Sequence, residues 1–325
     1  MKKTTPTAAT AIALALALAG APAAAFAAET VKVAIPQRGA WDTSFTELGV
    51  GQGFFQKQGL DVQPTYTQGG ASNEQAVISG SVDIAIGTGF LGILAAYVKG
   101  APVRIISPEA TGAPDIFWYV KASSPIKSMK DLHGKTVSFS EPGSSSNLIL
   151  LTLLQQAGVS DAKTVPVGAA PNGLPQVMTG QIDASWSTPP TGLKELQAKE
   201  IRMIALGNDS PEVKGETVRV NAANLAFLQA HRAAALGFLK AYKQSVDWAY
   251  SDPAALAAYA KLSGQPLEQV QYAFKTFQTK DEDQVEAIKG EDQVLAQALA
   301  AKRIPHAMTH DDIKGVYDLL LKQGS

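Results

Sequence analysis

Four short loops in this chain carry the residues best suited to holding a small polar molecule. Ser140-Glu141-Pro142-Gly143-Ser144-Ser145-Ser146 precedes a helix-patterned stretch from Leu148 to Gln156. A helix start leaves backbone N–H groups unpaired, and serine hydroxyls beside them complete a seat for an oxyanion. Capping by Ser144 or Ser145 accounts for one serine but not for three beside a glycine. The other three loops follow β-branched runs: Gln37-Arg38-Gly39-Ala40-Trp41-Asp42, Thr67-Gln68-Gly69-Gly70 and Gly87-Thr88-Gly89. Trp41 and Trp186 are the aromatic candidates, and Trp186 leads into Ser187-Thr188-Pro189. Arg38 stands at a strand exit, where a forked guanidinium could meet an anion. Arg219 lies in Thr217-Val218-Arg219-Val220 and is open to either a ligand or a hinge role. The expected ligand contacts are therefore Arg38, Gly39, Trp41, Gly69, Gly70, Gly87, Thr88, Gly89, Ser140, Gly143, Ser144, Ser145, Trp186, Thr188 and Arg219.

Other patterns point to chemistry less well. Gly87-Thr88-Gly89-Phe90-Leu91-Gly92 fits a dinucleotide fingerprint, with Glu109 about twenty residues on. Pro108, however, interrupts the strand end from which a ribose-binding acid should project. Gly143-Ser144-Ser145-Ser146-Asn147 lacks the closing glycine of a hydrolase nucleophile elbow. His306 and His310 lack the glutamate of a metalloprotease pair, and Asp281-Glu282-Asp283 lacks the spacing of a calcium loop. Asp83 and Asp183 sit near strand starts, which suits turn or cap roles. The expectation is no catalytic residue, no cofactor and no metal.

The elements that must carry these loops alternate. Val31–Ile35, Asp61–Thr65, Val82–Ile86 and Val103–Ile106 read as strands. Helices at Thr43–Gln58, Ser72–Ser79 and Leu91–Lys99 lie between them, ended by Gly59, Gly80 and Gly100. The rhythm restarts with strands at Phe117–Lys121, Thr136–Phe139, Ala162–Val167, Ala184–Ser187 and Ile201–Ala205. Beyond about Asn224 come amphipathic helices only: Leu225–Tyr250, Pro253–Leu262, Leu267–Phe277, Glu291–Ala301 and Thr309–Lys322. Strand–helix alternation implies mainly parallel sheets flanked by helices, with ligands beyond the C-terminal strand ends. The stretch Gln75-Ala76-Val77-Ile78-Ser79-Gly80-Ser81-Val82-Asp83 is echoed by Gln176-Val177-Met178-Thr179-Gly180-Gln181-Ile182-Asp183. That echo argues for two similar halves.

Composition bounds the partners. Lys2 and Lys3, an alanine- and leucine-rich run from Ala8 to Ala19, and Ala25-Phe26-Ala27 form an export signal over residues 1–27. The chain has 28 basic residues and 29 acidic ones. Removing two lysines with the leader leaves a formal charge of −3, so neither nucleic acid nor an anionic membrane is an expected partner. With zero cysteines, the fold has no disulfide, no thiol nucleophile and no acceptor for a bacterial lipid anchor.

Several segments resemble substrate-binding proteins of the nitrate/sulfonate/taurine type, within the wider set related to thiamine-pyrimidine synthases. They are Gly53-Phe54-Phe55-Gln56-Lys57-Gln58-Gly59-Leu60-Asp61-Val62, Gly70-Ala71-Ser72 and Ser79-Gly80-Ser81-Val82-Asp83-Ile84-Ala85. In the second half they are Ser128-Met129-Lys130-Asp131-Leu132-His133-Gly134-Lys135-Thr136-Val137 and Gly143-Ser144-Ser145-Ser146. The resemblance implies an α/β, two-lobed periplasmic-binding-protein-like fold of type II. Residues 28–114 plus 221–325 would form lobe 1, with the extra C-terminal helices, and 115–220 lobe 2. It further implies a periplasmic, non-lipidated, monomeric protein that delivers a small polar or anionic solute to an ABC permease in the inner membrane. A sulfonate, taurine or a nitrate-like ion would fit, as would a pyrimidine thiamine precursor or an aromatic acid. Rival readings are a periplasmic enzyme, nicotinamide-dependent or a hydrolase, and a sensory binder serving a chemoreceptor. The pyrimidine synthases use cysteines, and this chain has none.

Overall fold

A computed structural model describes residues 28–321. The expected leader, residues 1–27, lies outside them.

Ten strands form two five-stranded sheets. The first sheet has β1 (Glu29–Ile35), β2 (Leu60–Tyr66), β3 (Ile84–Gly89), β4 (Val103–Thr111) and β10 (Thr217–Asn224) in the order β2-β1-β3-β10-β4. The second has β5 (Phe117–Lys121), β6 (Thr136–Phe139), β7 (Lys163–Pro166), β8 (Ala184–Ser187) and β9 (Ile201–Leu206) in the order β7-β6-β8-β5-β9. Strands β10 and β5 run antiparallel to both their neighbours, so each sheet is four parallel strands with one reversed. The reversed strand is the one that returns from the other lobe. The mainly parallel, two-lobed α/β architecture expected from the sequence is therefore present.

Helices cover both sheets. In lobe 1 they are α1 (Phe45–Gly51), α2 (Phe54–Lys57), α3 (Gly70–Ser79) and α4 (Phe90–Val98). Lobe 2 has α5 (Ser145–Gln156), α6 (Gly173–Thr179), α7 (Leu193–Gln197) and α8 (Pro211–Gly215). The C-terminal set is α9 (Leu225–Ala230), α10 (Arg232–Ser251), α11 (Ala254–Ser263), α12 (Leu267–Phe277), α13 (Glu291–Ala300) and α14 (His310–Ile313). The apolar face of α10, through Phe238, Leu239, Tyr242 and Val246, packs with Phe45, Phe55 and β1 in one core. A second core on the other side of that sheet joins α3, α4 and α13. The C-terminal set also reaches the other lobe: Ala273 and Phe277 of α12 pack on Leu193, and Phe277 stacks on Phe117 with ring centroids 6.0 Å apart.

The internal echo has a shared physical function. The Asp83 carboxylate accepts from the Lys32 amide at 2.8 Å, and the Asp183 carboxylate accepts from the Thr136 amide at 2.8 Å. Gly80 and Gly180 take φ of 73° and 77° to turn each helix into the next strand. Each aspartate thus ties a strand start to its parallel neighbour, one per lobe, with no chemistry implied.

Three expected helices differ. Thr43–Gln58 breaks into a 3₁₀ turn at Asp42–Ser44, then α1 and α2, because Gly53 turns left-handed at φ 71°. Leu225–Tyr250 breaks at His231, whose Nδ1 pairs with the Glu29 carboxylate at 2.6 Å. The expected helix Thr309–Lys322 is described as far as Leu321, Lys322 lying outside the described residues, and over that stretch it is helical only through α14 and a 3₁₀ turn at Lys314–Val316. Beyond that turn the Asp318 and Leu320 amides donate to the Ile105 and Ile106 carbonyls of β4. Edge strand β4 has carbonyls to satisfy, and this pairing outcompetes helix continuation. Strand β4 also runs through Pro108 to Thr111, so Pro108 does not end it; β10 accommodates it with register shifts around Arg219.

Candidate functional site

The strand-exit loops of the two sheets face one another across a seam. A Cβ placed on Gly89 would stand 3.1 Å from the Gly143 carbonyl oxygen and 3.3 Å from the Ser145 amide. Glycine is needed there because backbone meets backbone across the lobes. The Gly69 position would place a Cβ 2.7 Å from a carboxylate oxygen of Glu141. That carboxylate accepts from the Ser72 amide at 2.9 Å and also from the Ser72 hydroxyl. Gln37 Oε1 accepts from the Ala170 amide at 3.5 Å. The lobes are closed on each other.

Within the seam lies a small cavity of about 30 Å³. Lobe 1 contributes Pro36, Gln37, Asp42, Thr43, Gly70 and Gly87. Lobe 2 contributes Ser140, Ser144, Ser145, Ser146, Trp186 and Thr188, and the crossing segments bring Asp115, Ile116 and Arg219. A space of this size holds about one water. A cargo of several heavy atoms needs the lobes to part.

The three serines divide their work. Ser144 caps α5, its hydroxyl accepting from the Asn147 amide at 3.2 Å. Ser140, Ser144 and Ser146 bond to one another through their hydroxyls at 2.8 to 3.1 Å. Ser145 makes no side-chain hydrogen bond within the described residues, so its hydroxyl is free at the helix start. Trp186 is only 2% exposed, and its Nε1 has no hydrogen-bond partner. A buried indole N–H left unpaired is a donor awaiting an acceptor.

Opposite stands a buried charge cluster centred on Arg219. Its guanidinium meets Asp115 in a fork at 2.9 and 3.0 Å, with Glu109 at 3.3 Å and Asp42 at 3.5 Å. The Thr188 hydroxyl also donates to Asp115, at 3.1 Å. Asp283, also buried, accepts from the Tyr250 hydroxyl at 2.5 Å. One guanidinium serves three carboxyl groups, and Asp115 holds its best geometry. Burial pushes Asp42 up to about 6 and Asp283 up to about 8. Burial likewise lifts Glu109 well above the carboxylate range. Burial opposes the charge of Arg219, but Asp115, Asp42 and Glu109 outweigh it and hold the guanidinium ionised.

Of the residues expected at the site, Gly70, Gly87, Ser140, Ser144, Ser145, Trp186, Thr188 and Arg219 line the cavity. Gly69, Gly89 and Gly143 lie at the lobe seam beside it. The others do not line it. Arg38 is exposed and stacks over the Tyr66 ring at 4.4 Å. Trp41 turns into the core, edge-on to Tyr259 and Phe274, and donates to the Tyr250 hydroxyl at 3.0 Å. Gly39 supplies its carbonyl to the Tyr259 hydroxyl, and Thr88 gives its hydroxyl to the Val220 carbonyl. Loop composition marks which strands exit here but not which way each side chain turns. Asp42, Thr43 and Asp115 were missing from the expected set. Asp115 follows Gly112-Ala113-Pro114 at the lobe crossing, and an acid there is the signal that could have found it.

Neither enzyme pattern acquires its parts. The α4 start needed for a pyrophosphate faces the buried Glu74 carboxylate. The space over Gly92 is filled by the same carboxylate. Glu109 is committed to the Arg219 cluster. No histidine reaches the serines: His133 pairs with Asp161, His231 with Glu29 and His310 with Glu291, while His306 is exposed beyond α13. A larger hollow at Lys243, Asp247, Lys280 and Lys289 is open and away from the seam. Its charges largely pair with each other, as Lys243 and Lys280 do with Asp247.

Comparison with known proteins now bears on this geometry. A family model described as "NMT1/THI5 like" matches residues 46–256. The chain belongs to the NMT1/THI5-like family. A Brucella abortus relative, named only as a candidate binding protein, is 32% identical over 120 residues. Those residues are 37% of this chain and 35% of the relative, so the match spans about a third of that protein. The alkanesulfonate-binding protein of Xanthomonas axonopodis pv. citri, solved with MOPS, superposes with a TM-score of 0.74 at 18% identity, over 90% of this chain and 98% of that one. The periplasmic nitrate-binding protein of Synechocystis PCC 6803 gives 0.69 at 13% identity, over 90% and 86%. A desulfurization enzyme also shares the fold, at 0.59 and 14% identity over 90% and 96%. At these identities the structures establish the periplasmic-binding fold. Among the described residues no helix is long and apolar enough to cross a membrane.

Proposed function

We propose that this protein is the periplasmic solute-binding component of an ABC importer. It acts as a monomer without a lipid anchor, passing a small polar solute to an inner-membrane permease. The observation that carries this reading is the seam itself. Two lobes of matching topology aim glycine- and serine-lined strand exits at each other, with a free hydroxyl (Ser145) and an unpaired indole N–H (Trp186) at the cavity. Such a pair of lobes opens and closes about its crossing segments, and a solute touching both faces favours the closed form. Ser145, Trp186, Asp42 and Asp115 are the contacts we assign, with Gly70 and Gly87 giving backbone access.

The same residues support binding without chemistry. A serine nucleophile needs a base within hydrogen-bond reach; Ser144 and Ser146 instead bond to each other and to Ser140, and Ser145 has no base hydrogen-bonded to it among the described residues. The test is a thermal-shift screen of sulfonates, nitrate, bicarbonate, aromatic acids and pyrimidines, followed by calorimetry. A ligand at a hundred times its Kd raises stability by about 2.7 kcal/mol, which is readily seen. One chemical class binding one-to-one without turnover supports the proposal. A response confined to NADH, or product formation from any candidate, contradicts it.

A further inference from the structure

Glu74 is a buried carboxyl at the seam for which the solute site has no use. It stands on α3 and is 6% exposed, packed over Gly92 where a side chain would collide with it. Its Oε1 is buried without a hydrogen-bond partner. The hollow it lines is walled by α3 and α4 on one side and by Ser140–Gly143 of lobe 2 on the other. Three charged groups line that hollow with it: Lys99 at the end of α4, Arg303 from the segment after α13, and Glu141 from lobe 2. Strand β3 adds only the Gly89 backbone. Glu141 crosses the seam to Ser72, two residues before Glu74 on the same helix, so closure sets one carboxyl near another. Burial raises Glu74 well above the usual carboxylate range; Arg303 opposes the rise and Glu141 adds to it.

We propose that Glu74 couples lobe closure to a proton: the closed form holds one on this carboxyl, and the open form releases it to water. The link rests on the opening and closing of the solute-binding reading above and adds pH control to it. When the lobes part, Glu141 leaves with lobe 2 and water reaches Glu74, which then ionises as an ordinary glutamate, at about pH 4.3. A neutral carboxyl needs no cation in the closed seam, whereas an ionised one would be buried unpaired. A group that binds its proton more tightly in the closed form favours closure at low pH. That advantage is lost as pH rises through the range where the closed form gives up the proton, by up to about tenfold in the closed-to-open ratio per pH unit. Cargo that needs closure should bind more weakly as pH rises, for the same reason.

Energy transfer between dyes on Lys57→Cys and Lys130→Cys, exposed sites on lobes 1 and 2, reads that ratio in cargo-free protein. Glu74→Gln mimics the neutral carboxyl and should stay closed where wild type opens. At pH 8 its closed-to-open ratio should exceed that of wild type at least about tenfold, and the gap should narrow as pH falls to about 4.5. Asp42 can titrate with closure as well, so the comparison of the two proteins isolates the share of Glu74. If Glu74→Gln does not fold, Glu74→Met, close in volume and likewise neutral, takes its place. A gap that is the same at every pH overturns the inference, while the presence of two states leaves the solute-binding reading standing. A single energy-transfer state throughout overturns the inference too, and the solute-binding reading falls with it if no compound of the screen binds.

Discussion

Glu141 belongs to lobe 2, yet it caps a helix of lobe 1. Helix α3 begins after Gly69, which has no side chain to satisfy the first amides. The Glu141 carboxylate reaches across the seam to the Ser72 amide at 2.9 Å and to the Ser72 hydroxyl. That cap exists only when the lobes are together; when they part, water replaces it. A helix cap contributes about 0.5–2 kcal/mol, and a carboxylate at a helix start about 0.3–1 kcal/mol. Glu141 is partly exposed, so screening keeps the sum near about 1.5 kcal/mol, roughly tenfold in the closed-to-open ratio. Glu141→Ala should therefore lower the closed-to-open ratio about tenfold, and weaken any cargo that needs closure by up to the same factor. Because the chain has no cysteine, Lys57→Cys and Lys130→Cys, both exposed and one on each lobe, admit a fluorophore pair without background labelling. Single-molecule energy transfer between them reads the two populations directly. Because the open form already lacks the contact, unfolding stability should fall by no more than about 1.5 kcal/mol. An unchanged closed fraction refutes the reasoning, as does a loss of melting temperature large enough to make Glu141 an ordinary stabilising residue.

Three other outcomes follow from the same structure. Arg219→Met strands the surrounding carboxyl groups and should cost about 3–5 kcal/mol in urea unfolding at pH 7.5, with a smaller loss at pH 5, where those groups take up protons; a loss under about 1 kcal/mol at both pH values contradicts the cluster's role. Burial raises Asp42 to about 6, Glu216 to about 7 and Asp283 to about 8, so between about pH 4 and 8 the folded protein holds more protons than the unfolded chain. Stability should therefore fall as pH rises through that window, and scanning calorimetry at pH 5 and pH 8 checks the sign. Ser145→Ala should weaken cargo binding with little change in melting, whereas Ser144→Ala, which removes the α5 cap, should lose about 1 kcal/mol of stability.

The sequence was readable where local chemistry decides the outcome. Strand–helix alternation, the glycines at helix ends and the echoed Gly80–Asp83 and Gly180–Asp183 junctions each follow from backbone geometry within a dozen residues. The serine-rich start of α5 was legible for the same reason, since unpaired amides and hydroxyls are adjacent in the chain. What could not be read was set by contacts far apart in sequence. Trp41 turns into the core because Tyr250, Tyr259 and Phe274 stand more than two hundred residues later. Arg219 lines the cavity with its fork held by Asp115, a partner 104 residues away across the lobe crossing. The C-terminal segment forgoes its helix for the free edge of β4, a competition that its own amphipathic pattern does not reveal. Division of labour among Ser144, Ser145 and Ser146 likewise appears only once Ser140 is seen to engage two of them.

The most direct test is a crystal structure of the mature chain with the tightest-binding solute of the screen. The solute should lie between the lobes, within hydrogen-bond reach of Ser145 and Trp186 Nε1 on one side and of Asp42 or Asp115 on the other. A solute seated on one lobe alone, or in the charged hollow at Lys243 and Lys280, would contradict the account.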